Sequence, residues 1–462
     1  MRVAYDRGTL VVRGAELPQA LRGADWLRWD PRSRFHRAEG YRYRALRERL
    51  EAADVEAEDE VLDLIPAEEE TLAAPGLTLR SYQEEALAAW EEGGRAGIIV
   101  LPTGAGKTVV AIKAIESLST ATLVVVPTLD LLEQWRARLR EAFQVPVGAI
   151  ARGETLLHGI TVTTYDSAYL QAERLGNRFE LVVFDEVHHL PSEGYRQIAQ
   201  LFASPYRLGL TATLERPDGF HELLPDLVGP KVYEATPAAL AGDHLSPYTA
   251  ETIFTDLTPE ERRRYEDEHG RFQRFVERHG GRFRGVEGHK RLIMASGRDP
   301  DARAALLARE RARDVMMNSE AKLRLLGELL LRHREDRVLV FTEHNRLVYA
   351  ISERFLLPAL THQTGDGERE ELLARFRAGK YRVLVTSKVL NEGVDVPEAN
   401  VGIILSGSGT RREFVQRLGR ILRKQEGKHA YLYELVSRDT REVHTSERRA
   451  PEKPKAKRGG RA

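Results

Sequence analysis

Short apolar runs alternate with amphipathic, helix-like stretches along most of this 462-residue chain. A first series of apolar runs of strand length lies at 98–101, 122–126, 160–163, 181–184 and 207–210. A second series lies at 338–341, 383–385, 401–405 and 430–435. Unbroken apolar strands that alternate with helices are typical of parallel sheets covered by helices on both faces. The pattern therefore predicts an α/β protein with two parallel-sheet domains.

Three regions depart from this alternation. The chain opens with a hairpin signal, in which Asp6, Arg7 and Gly8 join two alternating segments, and this start predicts a small α+β module. Between the two α/β domains the pattern is helical, highly charged and rich in arginine, whereas the end of the chain has the composition of a disordered segment. The predicted boundaries are 1–73 for the module, 74–236 for the first α/β domain, 237–314 for a linker with a helical insert, 315–445 for the second α/β domain and 446–462 for a basic tail.

Composition narrows the class of protein only a little. Lys and Arg together number 70 and so do Asp and Glu, so a nucleic-acid partner has to be argued from local patches rather than from bulk charge. The chain has no cysteine, which excludes disulfides, thiol chemistry and cysteine-based metal sites. It has no apolar run long enough to cross a membrane and no signal-peptide pattern at its start. We therefore expect a cytoplasmic protein without a membrane partner.

The run Leu101–Thr108, between an apolar strand and a helical pattern, has the context of a phosphate-binding loop. Its glycines let backbone N–H groups turn toward phosphate oxygens, and the following helix adds its positive dipole end. Lys107 can reach the β- and γ-phosphates, and the Thr108 hydroxyl can bind Mg²⁺. Leucine stands at position 101, where the strict motif has glycine. The residues assigned to the triphosphate are Pro102, Thr103, Gly104, Ala105, Gly106, Lys107 and Thr108.

A second chemical feature is the apolar strand that ends in Asp185, Glu186 and His188. Asp185 can hold Mg²⁺, Glu186 can orient and deprotonate the attacking water, and His188 can sense the phosphate through hydrogen bonds. The alternative is an ordinary strand end with solvated acids, but the phosphate loop upstream favours the catalytic interpretation. A metal site at His188 and His189 is disfavoured, because adjacent side chains on a strand or turn tend to point apart.

Two further segments of the first α/β domain belong to a candidate ATP site. Arg80 and Gln83 lie just upstream of the phosphate loop, and a glutamine amide can pair with both the donor and the acceptor of an adenine edge. Thr211 and Thr213 follow a strand and could link nucleotide state to domain movement, although a helix N-cap fits them equally well.

The second domain carries a basic helical face. Gln416, Arg420 and Arg423 are spaced by three and four residues and so share one side of a helix. If the two α/β domains face each other, these arginines reach the γ-phosphate as arginine fingers. Gly393 and Asp395 would supply the other part of that half of the cleft; a solvated basic face is the alternative.

These segments resemble the conserved motifs of superfamily-two helicases. Pro102–Thr108, Asp185–His188, Thr211–Thr213, Gly393–Asp395 and Gln416–Arg423 follow the order of motifs I, II, III, V and VI. The combination covers residues 77 to about 443, and segments that look like motifs Ia and Ic lie between motifs I and II. The resemblance implies two RecA-like domains, and with them ATP and Mg²⁺ as cofactors.

Within that superfamily the chain resembles the XPB family, and its shorter microbial members in particular. The similarity is carried by Asp185–Leu190, by Gln416–Arg423, by the aromatic- and arginine-rich N-terminal module and by the charged helical insert. For the structure, the resemblance implies that the module recognises DNA damage and that residues near 257–284 form a projecting thumb. For the function, it implies DNA as partner, 3′ to 5′ movement, a role in DNA repair and a possible nuclease partner. Pro217 replaces the glutamate of the family's Arg-Glu-Asp loop, so we expect weak strand separation by the protein alone.

Arginines interleaved with aromatic residues are the candidates for DNA contact, because arginine neutralises phosphates and aromatic rings can stack on bases. In the insert the alternative is a solvated helix whose phenylalanines face the core. In the module the tryptophans are expected in the core and the arginines at the DNA. The candidate contacts are Arg28, Arg32, Arg34, Arg216, Arg271 and Arg274.

The sequence thus favours an ATP-dependent DNA helicase or translocase. The other possibilities are a restriction-system translocase subunit, an RNA helicase, or an ATP-gated platform that clamps DNA and positions a nuclease.

Overall fold

The computed structural model describes residues 1–14, 16–66, 71–216, 218–240, 246–387, 399–405 and 429–443. They fall into two compact units, of which the first extends to Leu240 and the second contains the described residues from Ser246 onward. Among the described residues, no helix is long and apolar enough to cross a bilayer.

The N-terminal module is a five-stranded sheet with one helix. The predicted hairpin is present as antiparallel strands β1 and β2, and the sheet runs in the order β3-β4-β2-β1-β5. Strand β5 pairs in parallel with β1, although its three residues are all acidic and exposed. The elements are β1 (Arg2–Asp6), β2 (Thr9–Arg13), β3 (Arg28–Asp30), β4 (Phe35–Glu39), α1 (Tyr43–Ala52) and β5 (Glu58–Glu60).

The first α/β domain carries an eight-stranded sheet in the order β13-β6-β12-β11-β7-β10-β8-β9, parallel except for the β8–β9 pair. Its central strands are apolar and fully buried, as the sequence pattern predicts. The strands are β6 (Ala96–Val100), β7 (Thr122–Val126), β8 (Val147–Ala151), β9 (Glu154–Leu156), β10 (Ile160–Thr164), β11 (Leu181–Asp185), β12 (Tyr206–Thr211) and β13 (Lys231–Glu234). The helices are α2 (Ser81–Glu92), α3 (Lys107–Leu118), α4 (Leu129–Phe143), α5 (Tyr165–Leu170), α6 (Ala172–Leu175), α7 (Arg196–Leu201), α8 (Leu224–Leu227) and α9 (Pro237–Leu240).

The module packs directly on this domain. Ala203, just after α7, is part of the module's buried core. At two glycines the module and the domain approach so closely that no side chain fits: a Cβ on Gly40 would lie 2.2 Å from the Leu201 backbone oxygen, and one on Gly176 would lie 2.0 Å from the Tyr5 hydroxyl. The module and the first α/β domain therefore form one body.

The described residues of the second unit form a six-stranded parallel sheet in the order β14-β19-β18-β15-β17-β16. Strand β14 lies in the predicted linker, yet it pairs with β19 along all eight of its residues. The strands are β14 (Tyr248–Thr255), β15 (Val338–Phe341), β16 (Ala359–Leu360), β17 (Val383–Thr386), β18 (Val401–Ile404) and β19 (Ala430–Ser437). The helices are α10 (Pro259–Arg278), α11 (Gly285–Ser296), α12 (Pro300–Met317), α13 (Glu320–Arg332), α14 (Asn345–Phe355) and α15 (Asp366–Arg377).

Helices α10, α11 and α12 form the helical insert. Helix α10 begins with a capping box between Thr258 and Glu261 and with proline at its first position, both strong start signals. Phe272 and Phe275 are 6% and 2% exposed and belong to a core shared with α11 and α12. The phenylalanines of α10 are therefore core residues, as the alternative interpretation proposed, and are not available to stack on bases.

Candidate nucleotide site and nucleic-acid surfaces

The phosphate loop turns at glycines that adopt left-handed backbone angles. Gly104 has φ 84° and Gly106 has φ 76°, and helix α3 begins at the next residue, Lys107. A Cβ on Gly106 would lie 2.4 Å from Gln83 Nε2, so the position excludes side chains by space as well as by backbone angle. The loop therefore leads its backbone into the amino end of a twelve-residue helix, as a phosphate cradle requires.

Gln83 supports this loop from behind. Its Nε2 donates to the Ala105 oxygen at 2.9 Å, and its Oε1 accepts from the backbone N–H of Arg80 at 2.9 Å. Tyr82 adds a hydrogen bond from its hydroxyl to the same Ala105 oxygen, at 2.7 Å. Because Gln83 is only 4% exposed, pairing with adenine would require it to exchange these bonds. Its adenine role remains a prediction.

Three polar side chains of the loop and the start of α3 are suited to binding a phosphate and a cation. Lys107 Nζ lies 3.2 Å from the Leu101 oxygen, and the Thr108 hydroxyl accepts a hydrogen bond from Arg138 at 3.3 Å. The Thr103 hydroxyl oxygen is buried and has no hydrogen-bond partner among the described residues. A buried hydroxyl in this position is suited to a phosphate oxygen.

Asp185, at the end of β11, is a buried carboxylate. Its Oδ2 accepts from the Trp135 indole at 2.8 Å, and its backbone oxygen accepts from the Tyr165 hydroxyl at 3.0 Å. Burial, followed by the charge of Glu186, raises the pKa of Asp185 to about 6, while Lys107 and Trp135 act in the opposite direction. A bound cation would relieve this cost, so the donor set fits Mg²⁺.

Glu186 sits in a strained turn. It has φ 48° and ψ 54°, which costs a non-glycine residue about 1–3 kcal/mol and is typical of functional sites. Its Oε2 is buried, makes no hydrogen bond among the described residues and lies 3.4 Å from His188 Nδ1. An acceptor atom held in this way can take a proton from a water molecule.

His188 connects this turn to the neighbouring strand. Its ring is fully buried, and Nδ1 lies 2.9 Å from the Thr211 hydroxyl, whose oxygen also accepts from the Thr213 N–H at 3.2 Å. The helix N-cap alternative for the two threonines is wrong: the next helical turn begins at Phe220 and is capped by Gly219.

The prediction that the two histidine side chains point apart is also wrong. The rings of His188 and His189 lie 4.3 Å apart because a 3₁₀ turn, and not an extended strand, carries both. In the part of the chain that the structure describes, no group of three or more His, Cys, Asp or Glu residues could hold a metal ion.

Sheet topology brings these segments together. Strands β6, β12 and β11 are parallel neighbours, with Val100 opposite Thr211 and Leu210 opposite Asp185. The phosphate loop, the threonine segment and the acidic turn therefore leave the same carboxyl edge of one sheet, which is where ligands bind in open α/β sheets. Of the predicted ATP-site residues, this edge and the loop with its supporting helix α2 bring together Arg80, Gln83, Pro102, Thr103, Gly104, Ala105, Gly106, Lys107, Thr108, Asp185, Glu186 and His188.

The remaining ATP-site predictions, namely Gly393, Asp395, Gln416, Arg420 and Arg423, lie outside the described residues. Sequence reasoning in turn gave no role to four residues that support the site. Trp135 and Tyr165 anchor Asp185, Arg138 contacts Thr108, and Tyr82 holds the phosphate loop. Residues 134–135 and 163–167 carry motif-like letters, but nothing in the sequence indicates which groups their side chains meet.

The three module arginines predicted to contact DNA lie on one exposed hairpin. Arg28 is on β3, and Arg32 and Arg34 lie in the turn to β4; the Arg32 side chain is 91% exposed. Trp29, predicted in the core, is 54% exposed and stands edge-on to the His36 ring at 5.0 Å. That prediction is wrong for Trp29, because the short edge strand β3 leaves it outside the sheet's core.

Arg216 is engaged within its own domain. Its guanidinium binds Asp218 at 2.6 and 2.9 Å, the Ser192 hydroxyl at 3.2 Å and the backbone oxygen of His188. The side chain is 15% exposed. In this conformation Arg216 ties the segment after Thr213 to the acidic turn.

In the insert, Arg271 and Arg274 are exposed on α10. They line an open groove of about 620 Å³ between α10 and α12, together with Arg278 and Arg311. Glu268 offsets part of this charge, since it lies 3.6 Å from Arg271 and 3.3 Å from Arg311.

Comparison with known proteins agrees with this geometry. Residues 3–61 match the model of the Xeroderma pigmentosum group B helicase damage recognition domain, and 306–451 match that of the ERCC3/RAD25/XPB C-terminal helicase. Residues 76–216 match the model of the Type III restriction enzyme res subunit. The chain is 46% identical over 426 residues to the DNA 3'-5' translocase XPB2 of Sulfurisphaera tokodaii, which covers 92% of this chain and 96% of the relative.

The chain belongs to the XPB family. It is therefore an ATP-dependent helicase or translocase of superfamily two. This XPB-family chain is also 30% identical to the DNA 3'-5' helicase XPB of Mycobacterium tuberculosis, over 80% of its own length and 62% of that protein. The Pyrococcus furiosus Hef helicase domain shares the fold of two RecA-like domains, with a TM-score of 0.51, 19% identity, and coverage of 82% of this chain and 99% of that one.

Proposed function

We propose that this XPB-family helicase binds ATP and Mg²⁺ at the carboxyl edge of the first sheet and uses hydrolysis to move 3′ to 5′ along DNA in repair. The observation that carries the proposal is the meeting of the phosphate loop and the acidic turn on one sheet edge. The names of the relatives supply the direction of movement and the nucleic acid.

Each residue has a task in the proposed reaction. The backbone of the loop and Lys107 hold the triphosphate, and Thr108 and Asp185 hold Mg²⁺, which when bound neutralises charge on the phosphate oxygens. Glu186 orients water and takes its proton. His188 passes the state of the site to Thr211 through its 2.9 Å hydrogen bond, and so to the segment that Arg216 ties down. From the second domain, Gln416, Arg420, Arg423, Gly393 and Asp395 complete the site.

The proposed contacts to DNA are made by Arg28, Arg32 and Arg34 on the module and by Arg271 and Arg274 on the insert. All five lie on exposed surface. Phosphates are the natural ligands of such arginines, so binding should depend little on base sequence and strongly on salt. A cytoplasmic location remains part of the proposal.

A second candidate function is an ATP-gated platform that clamps DNA and positions a nuclease partner. The bonds of Arg216 favour it, because an arginine held by Asp218, Ser192 and His188 is not free to act in a wedge between strands. Separating duplex DNA costs roughly 1.4 kcal/mol per base-pair step, so a motor without a wedge would unwind poorly.

ATP turnover by the purified full-length protein, measured with single-stranded DNA, duplex DNA, forked DNA or RNA, tests the first proposal. We expect strong stimulation by DNA and little by RNA. Stimulation by RNA alone would overturn the choice of DNA.

A fork-unwinding assay with a 3′ or a 5′ tail separates the two candidates. Weak unwinding from the 3′ tail is expected. Processive unwinding without a partner contradicts the platform, and unwinding from the 5′ tail alone contradicts the direction.

A further inference from the structure

A buried ion pair lies in the second unit and includes none of the predicted site residues. Lys322, in the first turn of α13, is 0% exposed, and Glu442, after β19, is 4% exposed. Lys322 Nζ donates to Glu442 Oε2 at 2.6 Å and to the backbone oxygen of Leu405 at 3.0 Å. Glu442 Oε2 also accepts from the Ser437 N–H at 2.8 Å. The pair thus joins α13 to the carboxyl ends of β18 and β19.

The helical insert is attached at the same place. The Ser437 hydroxyl donates to the Met316 oxygen of α12 at 2.8 Å, and the Arg441 N–H donates to the Tyr265 hydroxyl of α10 at 3.1 Å. Leu257, Tyr265, Ala312, Val315, Met316 and Met317 form a buried apolar cluster at this junction.

Three further contacts hold the insert on this side. Arg313 of α12 is ion-paired with Glu343, which follows β15, and Arg346 lies 3.3 Å from Asp314. At the start of α13, the N–H of Glu320 donates to a carboxylate oxygen of Glu261 in α10 at 2.9 Å.

These contacts place the insert against the edge of the sheet where chemistry is expected. In open α/β sheets, ligands bind at the carboxyl ends of the strands. Leu405, whose oxygen Lys322 holds, is also the residue from which the chain continues toward the predicted arginine fingers. Apolar residues of similar size could fill the same space at little cost in stability, so the polar pair is not explained by stability alone.

We infer that Lys322 and Glu442 are positioning residues that hold the carboxyl edge of the second sheet in a fixed position against the helical insert. Because this position is fixed, DNA bound to the insert raises the rate of ATP turnover. The inference rests on the proposed function, in which the insert contacts DNA. In this inference both residues act through the position of Leu405 and Ser437 and not by contact with ATP or DNA.

The test compares ATP turnover with and without DNA in the full-length double variant Lys322→Met/Glu442→Leu. The two apolar side chains keep the volume and remove the bonds to Leu405 and Ser437. We expect a folded protein whose melting temperature is lowered by the two backbone groups that lose their partners. We also expect a nearly unchanged KM for ATP and a loss of DNA-stimulated kcat of roughly ten- to hundred-fold, as small misplacements far from the chemistry can cause.

Tyr433→Phe is the matched control. It removes the partner of His333 Nε2, 3.0 Å away, at the opposite end of the same helix α13. Stimulation by DNA should remain in this variant. Glu442→Gln, which keeps an acceptor oxygen for Ser437 and Lys322, should retain more stimulation than the double variant.

Two results would overturn the inference. One is a folded double variant that DNA stimulates as fully as the unsubstituted protein, which would make the pair purely structural. If the double variant does not fold, Ser437→Ala, which breaks only the bond to Met316, must lower the stimulation; full stimulation in that folded variant overturns the inference as well. Absence of stimulation in the unsubstituted protein would instead contradict the proposed function itself.

Discussion

The two sheets are both largely parallel, but they differ at their carboxyl edges. The edge of the first sheet carries three features of a candidate reaction site. They are a phosphate loop, a carboxylate whose pKa is raised by burial, and a strained glutamate whose buried Oε2 makes no hydrogen bond among the described residues. On the second sheet the described part of the edge is closed by the Lys322–Glu442 pair and by the contacts of the helical insert. Around the first edge, buried polar atoms have no hydrogen-bond partner among the described residues, whereas the described part of the second edge is held by an ion pair and hydrogen bonds.

Lys107→Ala should have the largest effect, because it removes charge from the reactive edge. We expect ATP turnover to be abolished, since preorganised charge at a phosphate is a major catalytic term. Glu186→Gln should leave nucleotide binding intact and lower turnover by about 10²–10⁴-fold through loss of the base. Steady-state ATPase assays and fluorescent nucleotide titrations measure both. Normal turnover in either variant removes the assignment of this edge.

Arg423→Ala tests whether the second domain also contributes to ATP hydrolysis. An arginine finger acts on transition-state charge, so kcat should drop by roughly 10³–10⁵-fold while ATP affinity changes little. Single-turnover hydrolysis together with nucleotide affinity separates the two effects. A collapse of ATP affinity at an unchanged rate would show that the second domain binds the ground state or serves a structural role.

Gly176→Ala should affect neither edge but should weaken the docking of the N-terminal module. The added Cβ would lie 2.0 Å from the Tyr5 hydroxyl and 2.7 Å from the Leu201 oxygen, and overpacking of this kind costs about 1–3 kcal/mol. Denaturant unfolding measures the loss. Gly76→Ala is the control, because nothing lies within 4 Å of a Cβ there. Equal stability of the two variants would contradict the tight docking.

The smallest effect is expected from the Arg216–Asp218 pair. Its hydrogen bonds lower the pKa of Asp218 to about 2. Because the pKa is depressed on folding, the pair stabilises the protein above the unfolded pKa of about 3.9 and loses this contribution as pH falls toward 2. Because Asp218 is 42% exposed, the contribution is at most about 1 kcal/mol. The free energy of unfolding should change less between pH 7 and pH 3 in Asp218→Asn than in the unsubstituted protein. If it changes by the same amount in both proteins, the pair does not contribute to stability.

The sequence predicts the buried strands well and the exposed ones poorly. Strands β7 and β15 begin and end where the apolar runs do, because a strand covered on both faces must be apolar throughout. Strand β5 is entirely acidic, and β14 is mostly exposed, so neither carries an apolar signal. Both strands pair through backbone hydrogen bonds at sheet edges, and the pattern of apolar side chains does not predict such pairing.

The site divides in the same way. Spacing and sequence context predict the phosphate loop and the acidic turn, because the residues of each lie next to one another in the chain. The link between Trp135 and Asp185, 50 residues apart, depends on how α4 packs under the sheet, and no local pattern encodes it. The same holds for Gln83, whose local surroundings do not reveal that it supports the loop.

The bonds of Gln83 have a consequence for how nucleotide identity could be detected. Its Oε1 protects the amide of Arg80, while its Nε2 holds Ala105 in the loop. If adenine recruits this side chain, the Arg80 amide loses its acceptor, and its deuterium uptake should rise as ATP binds, although most amides near a ligand become slower. A triphosphate with another base would leave that amide protected. One backbone proton would then distinguish recognition of the base from recognition of the phosphates.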